Sequence, residues 1–312
     1  TYATADHLWW YTTKAHRHSI WDTKGKLQVF STEQIIEKQG MVSTGQKRGS
    51  IPIAGSVYYP NKANLLSPYI IGALLGDGCI LNNKCAISSA DQDVLDRISD
   101  ELPSDHKLKY RSQYDYDIQR KTRKGSRNST FRDELRRLGM YGHYANSKFI
   151  PDEYKIDSER NRKALLAGLL DTDGTISKTG LCMSFTSVSE RLADDVCDLV
   201  RSLGGKAKKT DRVTRYTDKH GEKVNGQRSY RIFIRIRHFN PFFVKRKADR
   251  WHKGNLNQDE RLVYDIEPAG RAVCRCIKVD CETESYLTND YIVTHNSGKT
   301  SLVVPMLAVT WA

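Results

Sequence analysis

The sequence predicts an α+β chain in which a duplicated, pseudo-two-fold central region is framed by two β-rich segments that together make a second domain. Three observations carry this expectation. An apolar helix ending in an acid and a glycine turn occurs twice, at 66–80 and again at 165–176. A strand, cap and amphipathic-helix pattern follows each copy, at 87–98 and 185–196. Both flanks, residues 1 to about 60 and those from about 262 onward, are short aromatic and β-branched runs broken by polar turns.

The chain has 312 residues, which suits two domains at roughly 150 residues each. Its net charge of +13 is the electrostatic footprint of a nucleic-acid partner. Seven cysteines without a C-x-x-C pair suggest neither a disulfide framework nor a zinc site. No apolar run approaches the ~20 residues of a membrane span, and no signal peptide is visible. No membrane partner is therefore expected, and a cytoplasmic setting is.

In chain order, Tyr2 to Tyr11 reads as strand, Lys24-Gly25 as a turn, and Ser31 to Ile36 as a capped helical turn. A linker follows near 45–50. Ser67 then caps a helix that has Pro68 at its first position, and small residues Gly72, Ala73 and Gly76 lead to Asp77. An acid at a helix C-terminus opposes the helix dipole, so it needs another reason to be there. The second copy ends Leu170-Asp171-Thr172-Asp173-Gly174, with Asp173 96 positions after Asp77. Lys148 and Lys245 lie 71 and 72 residues beyond the respective acids, and Lys247 is an equally good candidate for the second position. An internal duplication of roughly 100 residues accounts for these offsets. A calcium loop at 171–176 is excluded, because Thr175 and Ile176 stand where such a loop needs a further acid or amide and a glycine.

The chain closes on an incomplete pattern. Gly298-Lys299-Thr300 before an apolar helix reads as the end of a phosphate-binding loop, yet the glycine required five positions earlier is Val293. Between them stands His295-Asn296-Ser297.

These residues resemble those of two families. Leu165 to Gly174 nearly spells the motif of LAGLIDADG homing endonucleases, with Ile70 to Gly78 as a looser copy. Thr4-x-x-His7 at one end and the His295-Asn296-Ser297 close resemble an intein with a Hint-type splicing domain. The resemblance implies a β-rich splicing domain built from 1–61 and 256–296, and a nested pseudo-symmetric endonuclease at 62–255 with repeats at about 62–155 and 156–255. Residues 297–312 would begin the flanking host, a P-loop ATPase resembling a phage terminase large subunit.

For splicing, the resemblance gives Thr4 and His7 the task of straining the first junction, and Asp280 the acidic position of the closing hairpin. His295 donates a proton to the amine that leaves as Asn296 cyclises, and Ser297 receives the upstream segment as an ester. Where some inteins carry a further histidine, this chain has Glu284. The first nucleophile is missing, so a truncation is expected rather than a natural split. The partners are then the missing intein segment and the host segments. Lys299 and Thr300 would serve a nucleotide only after splicing has completed their loop, and splicing itself needs no cofactor.

For DNA cleavage, Asp77 and Asp173 would hold Mg2+, a hard ion that takes oxygen ligands. Asp171 orients its turn, and Lys148 and Lys245 polarise solvent or hold phosphate. The basic strands at 107–111 and 228–237 put charge on one face, as in a ribbon tracking double-stranded DNA. Arg120 to Arg127 is a phosphate-contacting loop. The protein is expected to act as a monomer. The rival expectations are a free-standing or catalytically decayed LAGLIDADG DNA-binding module without splicing.

Overall fold

A computed structural model describes residues 2–4, 9–10, 16–21, 26–39, 50–81, 84–121, 130–217, 221–254, 260–266, 279–280 and 282–295. The chain divides into two compact units, Thr1–Tyr58 with Asn255–Ala312, and Tyr59–Gly254. The second unit thus starts three residues earlier, and ends one earlier, than the expected 62–255.

The first unit is built on β-structure. Strands β1 (Tyr2–Thr4), β2 (Trp9–Trp10), β3 (Arg17–Trp21), β4 (Leu27–Ser31), β5 (Ser50–Pro52) and β14 (Glu260–Ile266) form one sheet in the order β2-β1-β14-β5-β3-β4. The two flanks meet in that sheet, because β14 pairs with both β1 and β5. A hairpin of β15 (Ser285–Leu287) and β16 (Val293–His295) completes the unit. Its small core gathers Ile20, Ile35, Ile51, Ala54, Val263, Ile292 and Val293. Helix α1 (Thr32–Gln39) starts at a reciprocal capping box: Gln34 N–H donates to Ser31 Oγ at 3.2 Å, and Ser31 N–H to Gln34 Oε1 at 2.9 Å. The expected turn at Lys24-Gly25 lies outside the described residues.

The second unit is a duplication visible in its topology. The first repeat runs α2 (Pro68–Asp77), β6 (Gly78–Leu81), β7 (Lys84–Ser88), α3 (Gln92–Glu101), β8 (His106–Ser112), β9 (Asp115–Arg120) and α4 (Thr130–Arg137). After a short α5 (Asp152–Lys155), the second runs α6 (Glu159–Thr172), β10 (Gly174–Ile176), β11 (Met183–Ser187), α7 (Glu190–Ser202), β12 (Lys206–Thr217), β13 (Lys223–Arg235) and a one-turn α8 (Lys245–Ala248). The sheets have matching orders, β6-β7-β9-β8 and β10-β11-β13-β12, all antiparallel.

Helices α2 and α6 lie together at the centre. Both start at a serine: Ser67 Oγ accepts from Tyr69 and Ile70 N–H, and Ser158 Oγ from Asn161 N–H. Neither is amphipathic in the usual sense. Residues 69–75 of α2 and 165–171 of α6 are all buried, as suits helices covered on every side. Among the described residues no helix is long and apolar enough to cross a membrane.

Candidate functional site

The two central helices touch backbone to backbone. A Cβ on Gly72 would lie 2.2 Å from Leu165 O, and one on Gly168 2.2 Å from Tyr69 O. Only glycine permits this approach, and it carries the feet of the helices together. Asp77 is the last residue of α2, and Asp173 caps α6. Their carboxyl groups come within hydrogen-bonding reach of each other. Although both side chains reach solvent, partial desolvation by the surrounding helix feet raises the proton affinity of both. Asp173 is pushed up to about 6, by burial first and then by the charge of Asp77. Two carboxylates so placed cannot both ionise cheaply without a compensating cation.

Two lysines stand behind the acids, Lys148 half-buried and Lys247 buried. Lys148 Nζ donates to the carbonyls of Leu74, Leu75, Gly76 and Gly78 at 3.2, 2.9, 2.8 and 3.0 Å. Lys247 Nζ does the same at the other helix, to Leu170, Asp171, Thr172 and Gly174 at 2.8, 2.6, 3.4 and 2.7 Å. Each ammonium thus plugs a helix C-terminus, adding a charged donor to the carbonyls gathered there and offsetting the negative end of the dipole. This is how an aspartate is tolerated there. Burial lowers the proton affinity of both lysines, Lys247 to about 8, while the two acids pull that of Lys148 the other way.

The expected Lys245 is corrected by this geometry. Its side chain is exposed and pairs with Asp249 at 2.9 Å, and Lys247 takes the position equivalent to Lys148. Spacing left Lys245 and Lys247 both open because the segments before the lysines of the two repeats differ in length. Residue count cannot see which side of a single helical turn faces the carbonyls.

Asp171 is buried, and its counterpart in the first repeat is the apolar Leu75. It accepts from Tyr69 Oη at 3.0 Å, from Phe243 N–H at 3.1 Å and from Val244 N–H at 3.2 Å. Burial raises its proton affinity, and these donors oppose the rise. It fixes the segment that delivers Lys247.

Each lysine segment is also held by the other repeat, which sequence reasoning did not foresee. Ser189 Oγ, at the start of α7, donates to Lys148 O at 2.6 Å, and Asp195 accepts from Ile150 N–H at 2.8 Å. Reciprocally, Lys245 N–H donates to Asp93 at 2.9 Å, and Arg246 makes two 2.6 Å bonds to Asp91 at the start of α3. Such contacts span opposite halves of the chain and leave no periodicity to read.

On β13, Arg231 and Arg235 alternate with buried Tyr230, Ile232 and Ile234, so the charges share the open face of the sheet. Arg237 departs from that alternation: it follows the strand's end and is buried. Residues 122–127 of the expected phosphate-contacting loop lie outside the described residues.

In the first unit, the described residues place His295 at the end of β16, buried, with Nε2 3.8 Å from Glu284 Oε2. The preceding Thr294 shares a 2.6 Å hydrogen bond with His16 Nε2, and the His16 and His18 rings meet edge to face at 4.8 Å. Burial lowers the proton affinity of both, His18 to about 3. This histidine cluster was missed from sequence, since neither ring belongs to a motif. Thr4 pairs through its backbone with Val263, and Asp280 is exposed. His7, Asn296, Ser297, Lys299 and Thr300 lie outside the described residues.

Residues 149–240 match the homing endonuclease family model, a span running from α5 through β13 and so covering most of the second repeat. The chain is 30% identical over 253 residues to the replicative DNA helicase DnaB of Mycobacterium intracellulare. That alignment takes in 80% of this chain and 38% of the helicase, so the chain spans well under half of that protein's length. Among solved structures, I-DmoI in complex with its target DNA in the presence of 2 mM Mg matches at 16% identity and a TM-score of 0.33, over 54% of this chain and 87% of that one.

Proposed function

We propose that residues Tyr59–Gly254 cut double-stranded DNA as a monomeric, pseudo-two-fold homing endonuclease. The observation that carries this is the meeting of Asp77 and Asp173 at the feet of helices packed through Gly72 and Gly168. The family match over the second repeat supports it, and the shared sheet order extends it to the first.

The acids fit a divalent cation such as Mg2+. Both are hard oxygen donors, and desolvation holds each toward its neutral form, with the charge of Asp77 adding to this at Asp173, a cost that bound positive charge relieves. When bound, the metal supplies an activated water and neutralises the leaving oxygen. Asp77 and Asp173 are the residues that would hold it. Lys148 and Lys247 keep the helix feet in place and hold positive charge beside the scissile phosphate. The exposed basic residues of β12 and β13 bind the DNA backbone. Plasmid cleavage with Mg2+ tests the proposal: wild type should cut, and Asp77→Asn or Asp173→Asn should lose cutting while still binding DNA. Undiminished cleavage by both variants would sink it. A decayed DNA-binding module is the outcome in which wild type binds without cutting.

The first unit suits protein splicing. The two flanks combine in one sheet, and the closing hairpin ends at buried His295 beside Glu284. In this proposal Thr4 and His7 act at the first junction. Asp280 stands at the acidic position of the closing hairpin, Asn296 cyclises and Ser297 carries the transferred segment. The match to a helicase over 38% of its length suits an element embedded in a P-loop ATPase, and makes a replicative helicase a concrete alternative to the terminase as host. Lys299 and Thr300 would join a nucleotide site only in the ligated product, in the cytoplasm. Supplying an upstream segment with an intein start should yield ligated host product, lost in Asn296→Ala. Absence of any ligation would leave the free-standing endonuclease.

A further inference from the structure

The hairpin that ends at His295 needs a hold from outside itself. Among the described residues β16 pairs only with β15, and a two-stranded hairpin is marginal by itself in water. Its start is secured, because Ile292 bridges to Ile53, and Ile292 and Val293 join the small core. Its end is secured by a residue from the other flank of the chain. His16 Nε2 shares a 2.6 Å hydrogen bond with Thr294 Oγ1, and Thr294 is buried. A buried hydroxyl needs a partner, and the ring supplies one. The grip falls one residue before His295 and two before Asn296. The neighbouring strand also bends toward His295. Glu284 sits in the left-handed region at φ +46°, a conformation uncommon for a residue other than glycine, and its carboxylate stands 3.8 Å from His295 Nε2. Backbone strain of this kind gathers at functional sites.

His16 is itself anchored. Thr32, the first residue of α1, donates its N–H to His16 O at 2.9 Å and its hydroxyl to the same oxygen at 3.4 Å. With that hydroxyl proton committed, His18 Nε2 is the donor in its 3.0 Å bond to Thr32 Oγ1. The His18 ring then backs the His16 ring edge to face at 4.8 Å. Burial first, and then the charge of His295, lowers the proton affinity of His16, so its ring is neutral at physiological pH. A neutral imidazole can bond a hydroxyl without setting a second charge beside His295.

We propose that His16, which belongs to neither splicing motif, is a positioning residue for cleavage after Asn296. By holding the end of β16 it fixes where the chain leaves the strand, and so brings the Asn296 side chain to its own carbonyl at reacting distance. In that step the side-chain amide nitrogen bonds to the Asn296 carbonyl carbon, and the bond to the Ser297 nitrogen breaks. One proton leaves the amide nitrogen and one is gained by the departing amine, so no co-reactant is consumed. This rests on the splicing function proposed above.

Release of Ser297–Ala312 from the full chain, followed by mass spectrometry at neutral pH, tests it. Wild type should release the segment, and Asn296→Ala should not. His16→Phe keeps a ring but loses the bond to Thr294, and should slow release by about 100-fold. His16→Gln places a polar group near the Nε2 position and should restore much of the rate. Thr294→Val should slow release as His16→Phe does, and the double variant should be no slower than either, since both remove one bond. Thermal unfolding of each variant separates slow chemistry from lost fold. Should His16→Phe fail to fold, Thr294→Val against Thr294→Ser asks the same question of the hydroxyl alone. Wild-type release by folded His16→Phe and Thr294→Val would overturn the proposal and leave splicing standing. So would slowing that follows lost stability, with His16→Gln as slow as His16→Phe, because His16 would then be a packing residue only. A wild type that releases no more than Asn296→Ala removes the splicing function and this proposal together.

Discussion

Replacing Gly168 by alanine puts the central contact to its sharpest test, because two effects of opposite sign compete. In a helix interior alanine is favoured over glycine by about 1 kcal/mol. If the α2–α6 interface were ordinary packing, Gly168→Ala would stabilise the protein by that amount. Here the new Cβ would lie 2.2 Å from Tyr69 O and 2.7 Å from Ala73 N, both backbone atoms that no rotamer change can move. Ordinary contact needs about 3.4 Å, so the helices must part by roughly 1 Å. Overpacking of this kind costs about 1–3 kcal/mol and sometimes more, which outweighs the propensity gain. The parting also separates Asp77 from Asp173, and a misplacement of about 1 Å at a catalytic centre is worth on the order of 100-fold in rate. Urea unfolding should therefore give a lower midpoint with an unchanged slope, and plasmid cleavage should fall far more than DNA binding does. A variant that is more stable than wild type and cuts at the wild-type rate would refute the claim that backbone contact at Gly168 holds the acids together.

The remaining expectations are briefer. Lys247→Met should cost about 3 kcal/mol, since it strips a charged donor from buried carbonyls, whereas Lys245→Met should leave the melt close to wild type because its ion pair is exposed; equal losses in thermal melts would contradict the assignment of Lys247. Asp173 has a folded-state pKa of about 6 against an ordinary 3.8, so the folded state holds the extra proton in that window and stability falls as pH rises from about 4 to about 6. Asp173→Asn should flatten this dependence and raise the unfolding midpoint of the metal-free protein at neutral pH, by an amount that solvent screening of the exposed carboxyl keeps modest, read from midpoints across pH. A variant whose pH profile overlays wild type would place the titration elsewhere.

Periodic and local features of this molecule were legible in the sequence. The serine caps of α2 and α6, the two helix-ending acids and the alternation along β13 all follow from spacing within about a dozen residues, where backbone geometry dictates which side chains share a face. The duplication was visible for the same reason, since two copies of one local pattern at a constant offset need no tertiary information. Whatever depends on the distance between chain-remote groups was not legible. Lys247 rather than Lys245 reaches the carbonyls because of how one helical turn is rolled. Arg246 meets Asp91 across 155 residues of chain, and His16 meets Thr294 across 278. Arg237 continues an exposed pattern in sequence, yet is buried once its strand has ended. The sequence by itself determined the duplicated frame, the basic character and the identity of the two acids. Only the tertiary structure decided which lysines stand behind those acids and how each repeat braces the other. It also decided that the two sheets, alike in register, set Asp115 where the other has Arg231, because only strand pairing says which residues lie opposite one another.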